Sequence, residues 1–150
     1  MVIPELPVRS LSISSNFTAV IISQMSQKKV LLIEDDDDDQ EIFLAAINQL
    51  ENPAACIVYN NPVKALKALE DKVIEPDIIF LDLNMPLMNG QQFLVHIKNN
   101  EALEHIPVIV LSTSSHASSR TSVKSLGATD FFSKPNSVRE LVEVLKAVLG

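Results

Sequence analysis

Glycine is scarce in this chain, with only three among 150 residues. None stands directly after the first strongly apolar run, so the glycine-rich loop that would wrap a nucleotide or flavin phosphate is missing there. Cysteine is scarcer still. Cys56 stands alone, which excludes an intrachain disulfide and fits a reducing compartment, and no Cys/His cluster offers a structural zinc site. Positive charge is short as well, with 12 Lys and Arg against 19 Asp and Glu and a formal net charge of -7. Binding to a nucleic-acid backbone needs a basic patch, so no nucleic-acid partner is expected. Long apolar runs are also lacking. A membrane span needs roughly 20 predominantly apolar residues, whereas residues 11–25 are interrupted by Ser12, Ser14, Ser15, Asn16, Ser23 and Gln24. Only Arg9 precedes that stretch, a poor start for a signal peptide. No membrane association is expected. His96, His105 and His116 are scattered and read as surface residues.

The chain divides into two parts of different character. Residues 1–28 read as a loose N-terminal extension, disordered or reflecting the choice of start site, with Met25 as an alternative beginning. Residues 29–150 read as one domain. There, short apolar runs alternate with amphipathic segments. Strands are expected at 30–33, 56–59, 78–81, 108–111 and 130–133. Between them, helices are expected at 40–50, 62–71, 91–99 and 115–126, the last weak and rich in serine. A final helix follows Ser137, with Val138, Leu141, Val142, Leu145, Val148 and Leu149 on one face. Asp38 with Glu41 and Ser137 with Glu140 have capping-box spacing, and Asn61-Pro62 places an N-cap before a first-turn proline.

Five strand–helix repeats with nearly all-apolar strands describe a parallel sheet covered on both faces. An eight-unit closed barrel would need a longer chain. The expected fold is α/β, a flavodoxin-like doubly wound five-stranded parallel sheet with strand order 2-1-3-4-5. Ligands of such sheets bind beyond the carboxyl ends of the strands. The residues at those ends are Glu34 and Asp35 after the first strand, Asp82 after the third, Ser112 and Thr113 after the fourth, and Lys134-Pro135 after the fifth. The second strand offers Tyr59 and Asn60 and is expected to lie outside the site.

Each of these residues alone says little, and the six-acid run 34–39 by itself would read as a solvated face. Four strand ends carrying an acid pair, an acid, a hydroxyl and a lysine say much more. Three clustered carboxylates repel one another unless a cation compensates. Mg²⁺ suits an all-oxygen site with few protein ligands. A carboxylate nucleophile, a metal, an ammonium and a hydroxyl donor are the parts that phosphoryl transfer uses.

The segments VLLIED at 30–35, DIIFLDLNMP at 77–86 with Asn89-Gly90, PVIVLS at 107–112 and GATDFFSKP at 127–135 resemble the receiver domain of two-component response regulators. The resemblance covers residues 28–149. It implies that Asp82 accepts a phosphoryl group from the phosphohistidine of a histidine kinase or histidine phosphotransfer protein. It implies Mg²⁺ held by the side chains of Asp35 and Asp82 and the backbone carbonyl of Asn84, with Glu34 acting through metal-bound water. Ser112 and Lys134 would contact phosphoryl oxygens. Phe131 matches the aromatic switch position, whose ring turns inward when the hydroxyl moves, and Asp36 would not touch the metal. Two features set this chain apart: the acid pair extends through Asp39, and the switch aromatic lacks a phenol hydroxyl.

Nothing follows Gly150, so output is expected through a downstream protein, or through a homodimer formed by the last helix and strand face. The expected compartment is the cytoplasm, and the chain is expected to be a signalling switch rather than an enzyme. Two rivals are a pseudo-receiver that binds partners without phosphorylation and an aspartyl-nucleophile phosphatase. The phosphatase wants a second acid two residues after its nucleophile, where this chain has Asn84.

Overall fold

The computed structural model describes residues 27–113 and 117–150. The readings of residues 1–28 as a loose arm and of Met25 as a start fall outside these, except at Gln27 and Lys28. The Lys28 carbonyl already accepts the Ala55 amide at 2.9 Å, one step before the first strand.

The elements alternate as expected: β1 (Lys29–Ile33), α1 (Asp37–Asn48), β2 (Ala55–Tyr59), α2 (Pro62–Glu70), β3 (Ile78–Asp82), α3 (Gly90–Lys98), β4 (Val108–Ser112), α4 (Ala117–Ser125), β5 (Asp130–Ser133) and α5 (Val138–Leu149). All strands pair in parallel in the order β2-β1-β3-β4-β5. The chain thus has the flavodoxin-like doubly wound fold, with β2 at one edge, beside β1.

Side chains alternate across each strand, so an all-apolar strand feeds both faces of the sheet. Leu31, Ile33, Ile79, Leu81, Val108, Val110 and Phe131 pack with α2, α3 and α4. Val30, Leu32, Ile78, Phe80, Ile109 and Leu111 pack with Phe43, Ala46 and Ile47 of α1 and with Leu141, Val142 and Leu145 of α5. Phe43 and Phe80 meet edge to face at 5.1 Å. Each fully buried Phe, Leu or Ile contributes roughly 1.5–3 kcal/mol from burial, and these two layers hold the strand ends in register.

Helix starts decide how the loops sit. Asn61 caps α2 ahead of Pro62 as expected, its Oδ1 accepting the amides of Val63 and Lys64. Ser137 accepts the Glu140 amide, but Glu140 reaches the Asn136 amide instead of closing the box on Ser137. The Asp38–Glu41 box does not form. Asp36 is extended and its Oδ1 accepts the Asp39 amide at 3.0 Å, so α1 begins at Asp37 rather than Gln40. Three acids in a first turn complement the positive end of the helix, which favours the earlier start. A capping box that the sequence reading did not anticipate joins Asn89 and Gln92 at the start of α3. Helix α4 lies within the expected 115–126, of which residues 115 and 116 are outside the described set. Among the described residues, no helix is long and apolar enough to cross a membrane.

Candidate functional site

Strands β3 and β4 run one residue further than expected, which makes Asp82 and Ser112 the last residues of their strands rather than the first of their loops. Both are therefore fixed by ladder hydrogen bonds and both are buried. Glu34 follows β1 directly, and its amide donates to the Tyr59 carbonyl at 3.0 Å. The Lys134 amide donates to the Ser112 carbonyl at 2.8 Å, which ties the end of β5 to the end of β4.

The three acids and the lysine come together at this edge. Carboxylate oxygens of Glu34, Asp35 and Asp82 come within 4.8 Å of one another, with Glu34 and Asp82 buried and Asp35 exposed. Three acids at that spacing, one of them open to solvent, suit a divalent cation that brings its own waters. Lys134 Nζ lies 2.7 Å from Glu34 Oε1, 2.8 Å from Asp39 Oδ2 and 3.5 Å from Asp82 Oδ2. Asn84 sits exposed two residues on, and its amide donates to Asp82 Oδ1 at 3.2 Å.

The loop after Asp82 is held close by a glycine. A Cβ on Gly90 would lie 2.6 Å from the Asp82 carbonyl oxygen and 2.7 Å from the Leu83 Cα, so no larger residue fits there without moving backbone. The Gly90 amide donates to the Leu83 carbonyl at 2.9 Å. The Asn-Gly pair noted in the sequence thus starts α3 directly behind the Asp82 main chain.

Electrostatics follow from burial. Desolvation pushes the Glu34 carboxyl up to about 7; the Lys134 hydrogen bond opposes this, and the Asp82 charge adds to it. Burial would lower the Lys134 ammonium, but its bonds to Asp39 and Glu34, with the Asp82 charge, outweigh that and hold it above its ordinary range.

Phe131 is buried, and the Arg120 guanidinium of α4 stands 5.1 Å from its ring centroid. The ring is thus inward in this structure. Asp36 serves as the α1 cap.

Three contributors were missed from the sequence. Asp39 pairs with Lys134. The Gln40 side chain donates to the Glu34 carbonyl at 2.7 Å. Arg120 covers Phe131. A signal for Asp39 existed: Asp39, Phe43, Ala46 and Ile47 follow helical spacing, so continuing the buried stripe backwards puts Asp39 on the inner face.

This edge, with its acid cluster beside a lysine, is matched by a family model for the response regulator receiver domain over residues 30–146. The chain belongs to that family. The receiver domain is a phosphorylation-dependent signalling module rather than a conventional enzyme. Among curated relatives, the protein PilG of Pseudomonas aeruginosa is 38% identical over 72 residues, 48% of this chain and 53% of that one. The phosphate regulon transcriptional regulatory protein PhoB of the same species is 34% identical over 94 residues, 63% of this chain and 40% of that one. The chain thus spans well under two thirds of the length of these relatives. Among solved structures, the phosphorylated cyanobacterial phytochrome response regulator RcpA superposes with a TM-score of 0.75 at 27% identity, covering 82% of this chain and 91% of that one. The Mn²⁺-bound response regulator Rcp1 gives a TM-score of 0.72 at 25% identity, covering 81% and 91%.

Proposed function

We propose that this receiver domain takes a phosphoryl group onto Asp82 from the phosphohistidine of a histidine kinase or histidine phosphotransfer protein. The observation that carries this reading is a buried Asp82 flanked by Glu34 and Asp35, with Lys134 Nζ 3.5 Å from its carboxylate. An Asp82 oxygen attacks phosphorus, the P–O bond forms as the P–N bond breaks, and the imidazole leaves with its electron pair. The side chains of Asp35 and Asp82, with the Asn84 carbonyl, would hold Mg²⁺, and Glu34 stands behind them. When bound, that cation neutralises charge on the phosphoryl oxygens. Lys134 pairs with one oxygen, and the Ser112 hydroxyl donates to another. Relatives described as phosphorylated and as Mn²⁺-bound support this assignment.

Phosphorylation adds about -1.5 to -2 charges beside Lys134 and Ser112. Their movement shifts the packing of β4, β5 and α4, and the altered α4–β5–α5 face is read by another protein in the cytoplasm or by a second copy. Because Phe131 is already inward, its share in the switch is a change of contact with Arg120.

The decisive experiment is incubation with Mg²⁺ and acetyl phosphate, followed by intact mass. One added phosphate on the wild type and none on Asp82→Asn is the expected result. A folded, Mg²⁺-binding chain that gains none points to a binding module without phosphorylation.

A further inference from the structure

The acidic run after β1 is not one uniform surface. Asp36 caps α1, Asp37 and Asp38 face solvent, and Asp39 lies on the stripe that continues through Phe43, Ala46 and Ile47. Its position in the first turn of α1 is pinned, because its own amide is the donor that Asp36 Oδ1 accepts. From there its carboxylate reaches Lys134, 95 residues further along the chain.

Lys134 has three N–H donors on its ammonium. Two are engaged at short range, by Glu34 Oε1 at 2.7 Å and Asp39 Oδ2 at 2.8 Å, while Asp82 Oδ2 is more distant at 3.5 Å. The lysine side chain is 16% exposed and that of Asp39 38%, so their bond is charge-assisted and only partly screened by solvent. Glu34 belongs to the acid pair itself. Asp39 is an additional competitor for the cation, mounted on a different element.

We infer that Asp39 is a positioning residue that restrains phosphoryl transfer by tethering Lys134 away from the attacking oxygen of Asp82. The inference rests on Asp82 being the phosphoacceptor. One N–H remains for an incoming phosphoryl group, but the ammonium must be drawn toward Asp82, 3.5 Å away, against the pull of Asp39 before it can closely neutralise oxygens in the transition state. The tether thereby sets a threshold, and a partner that moves the first turn of α1 could lower it.

The test compares initial phosphorylation rates with acetyl phosphate at saturating Mg²⁺. Asp39→Asn should speed the reaction about fivefold. Asp38→Asn removes the same charge one residue away from an exposed position, and should change the rate less than about twofold. Asp39→Glu, which keeps the carboxylate, should stay near wild type. In a Lys134→Ala background the Asp39→Asn gain should vanish.

An unchanged or lower rate in Asp39→Asn overturns the inference, as does a gain that persists without Lys134 or is matched by Asp38→Asn. A second readout needs no phosphoryl transfer. The Lys134 ammonium should give a slowly exchanging NMR signal that Asp39→Asn broadens and Asp38→Asn leaves alone. A wild-type chain that takes no phosphate refutes the functional reading and the restraint with it, and the ammonium signal then decides the tether alone.

Discussion

Helices α5 and α4 flank the same edge of the sheet and are held in very different ways. Helix α5 buries Leu141, Val142 and Leu145, and Val138, Val144, Val148 and Leu149 pack against the same core. Helix α4 reads ASSRTSVKS, and among its described side chains Val123 is the buried one. Among its further ties are polar ones: Gln91 Nε2 to Ser122 Oγ at 3.4 Å, Lys124 to Asp130 at 3.5 Å, and Arg120 over Phe131. Apolar burial fixes a helix through many small contacts that must be lost together, whereas exposed polar ties contribute little each. Of the two, the helix that touches Phe131 is therefore the more cheaply displaced, which suits a switch.

The largest expected effect lies on the well-packed side. Leu145→Ala should cost about 3 kcal/mol, since Leu145 is fully buried between α1 and the sheet, and Val123→Ala about 2 kcal/mol. Urea unfolding measures both, and an equal or larger loss at Val123 would break the contrast. Native-state hydrogen exchange sharpens it without mutation. Amides of α4 should exchange on the order of a hundredfold faster than those of α5, and equal protection would show α4 to be as firmly held.

Chemistry at Cys56 probes the α1–α5 side again, because this half-buried thiol packs against that core. Burial pushes it from 9.0 up to about 11, which lowers its thiolate fraction roughly a hundredfold at neutral pH. Alkylation at pH 7.5 should be slower by about that factor than for the urea-unfolded chain. The sign follows from the raised value: the folded form holds its proton longer, so this contribution to stability is full below pH 9 and is lost as pH rises through 11. Alkylation as fast as in the unfolded chain would show this face to be open. The smallest effect is expected at the α4 contact. Arg120→Ala should cost about 0.5 kcal/mol and shift the Phe131 ring resonances while leaving those of α5 in place. Unmoved Phe131 signals would remove the guanidinium–ring contact from the picture.

Most of the fold was legible because β1, β3 and β4 are nearly unbroken apolar runs and α5 has a clean apolar stripe. Those patterns depend on local spacing, which a sequence displays. The helix starts were less legible. Asp36, Asp37 and Asp38 are equally good capping residues, and only the extended backbone at Asp36 selects among them. The site shows the same division. Glu34, Asp35, Asp82, Ser112 and Lys134 could be named because each ends a strand and parallel strands share one edge. That Lys134 pairs with Asp39 was fainter: helical spacing puts Asp39 on the inner face of α1, but the pairing depends on side-chain reach between elements 95 residues apart.

The amino-acid sequence by itself determined the alternation of elements, the parallel sheet and the set of residues gathered at its carboxyl edge. Hydrophobic period and turn chemistry are written residue by residue. Tertiary structure alone decided that Asp39 competes with Asp82 for Lys134, that Phe131 lies inward beneath Arg120, and that Gly90 must leave room for the Asp82 carbonyl. The first is a contact between residues 95 apart in the chain, and the other two are close approaches across a loop between a strand and a helix; hydrophobic spacing encodes none of them, and all exist only once both layers of the core have closed on the sheet.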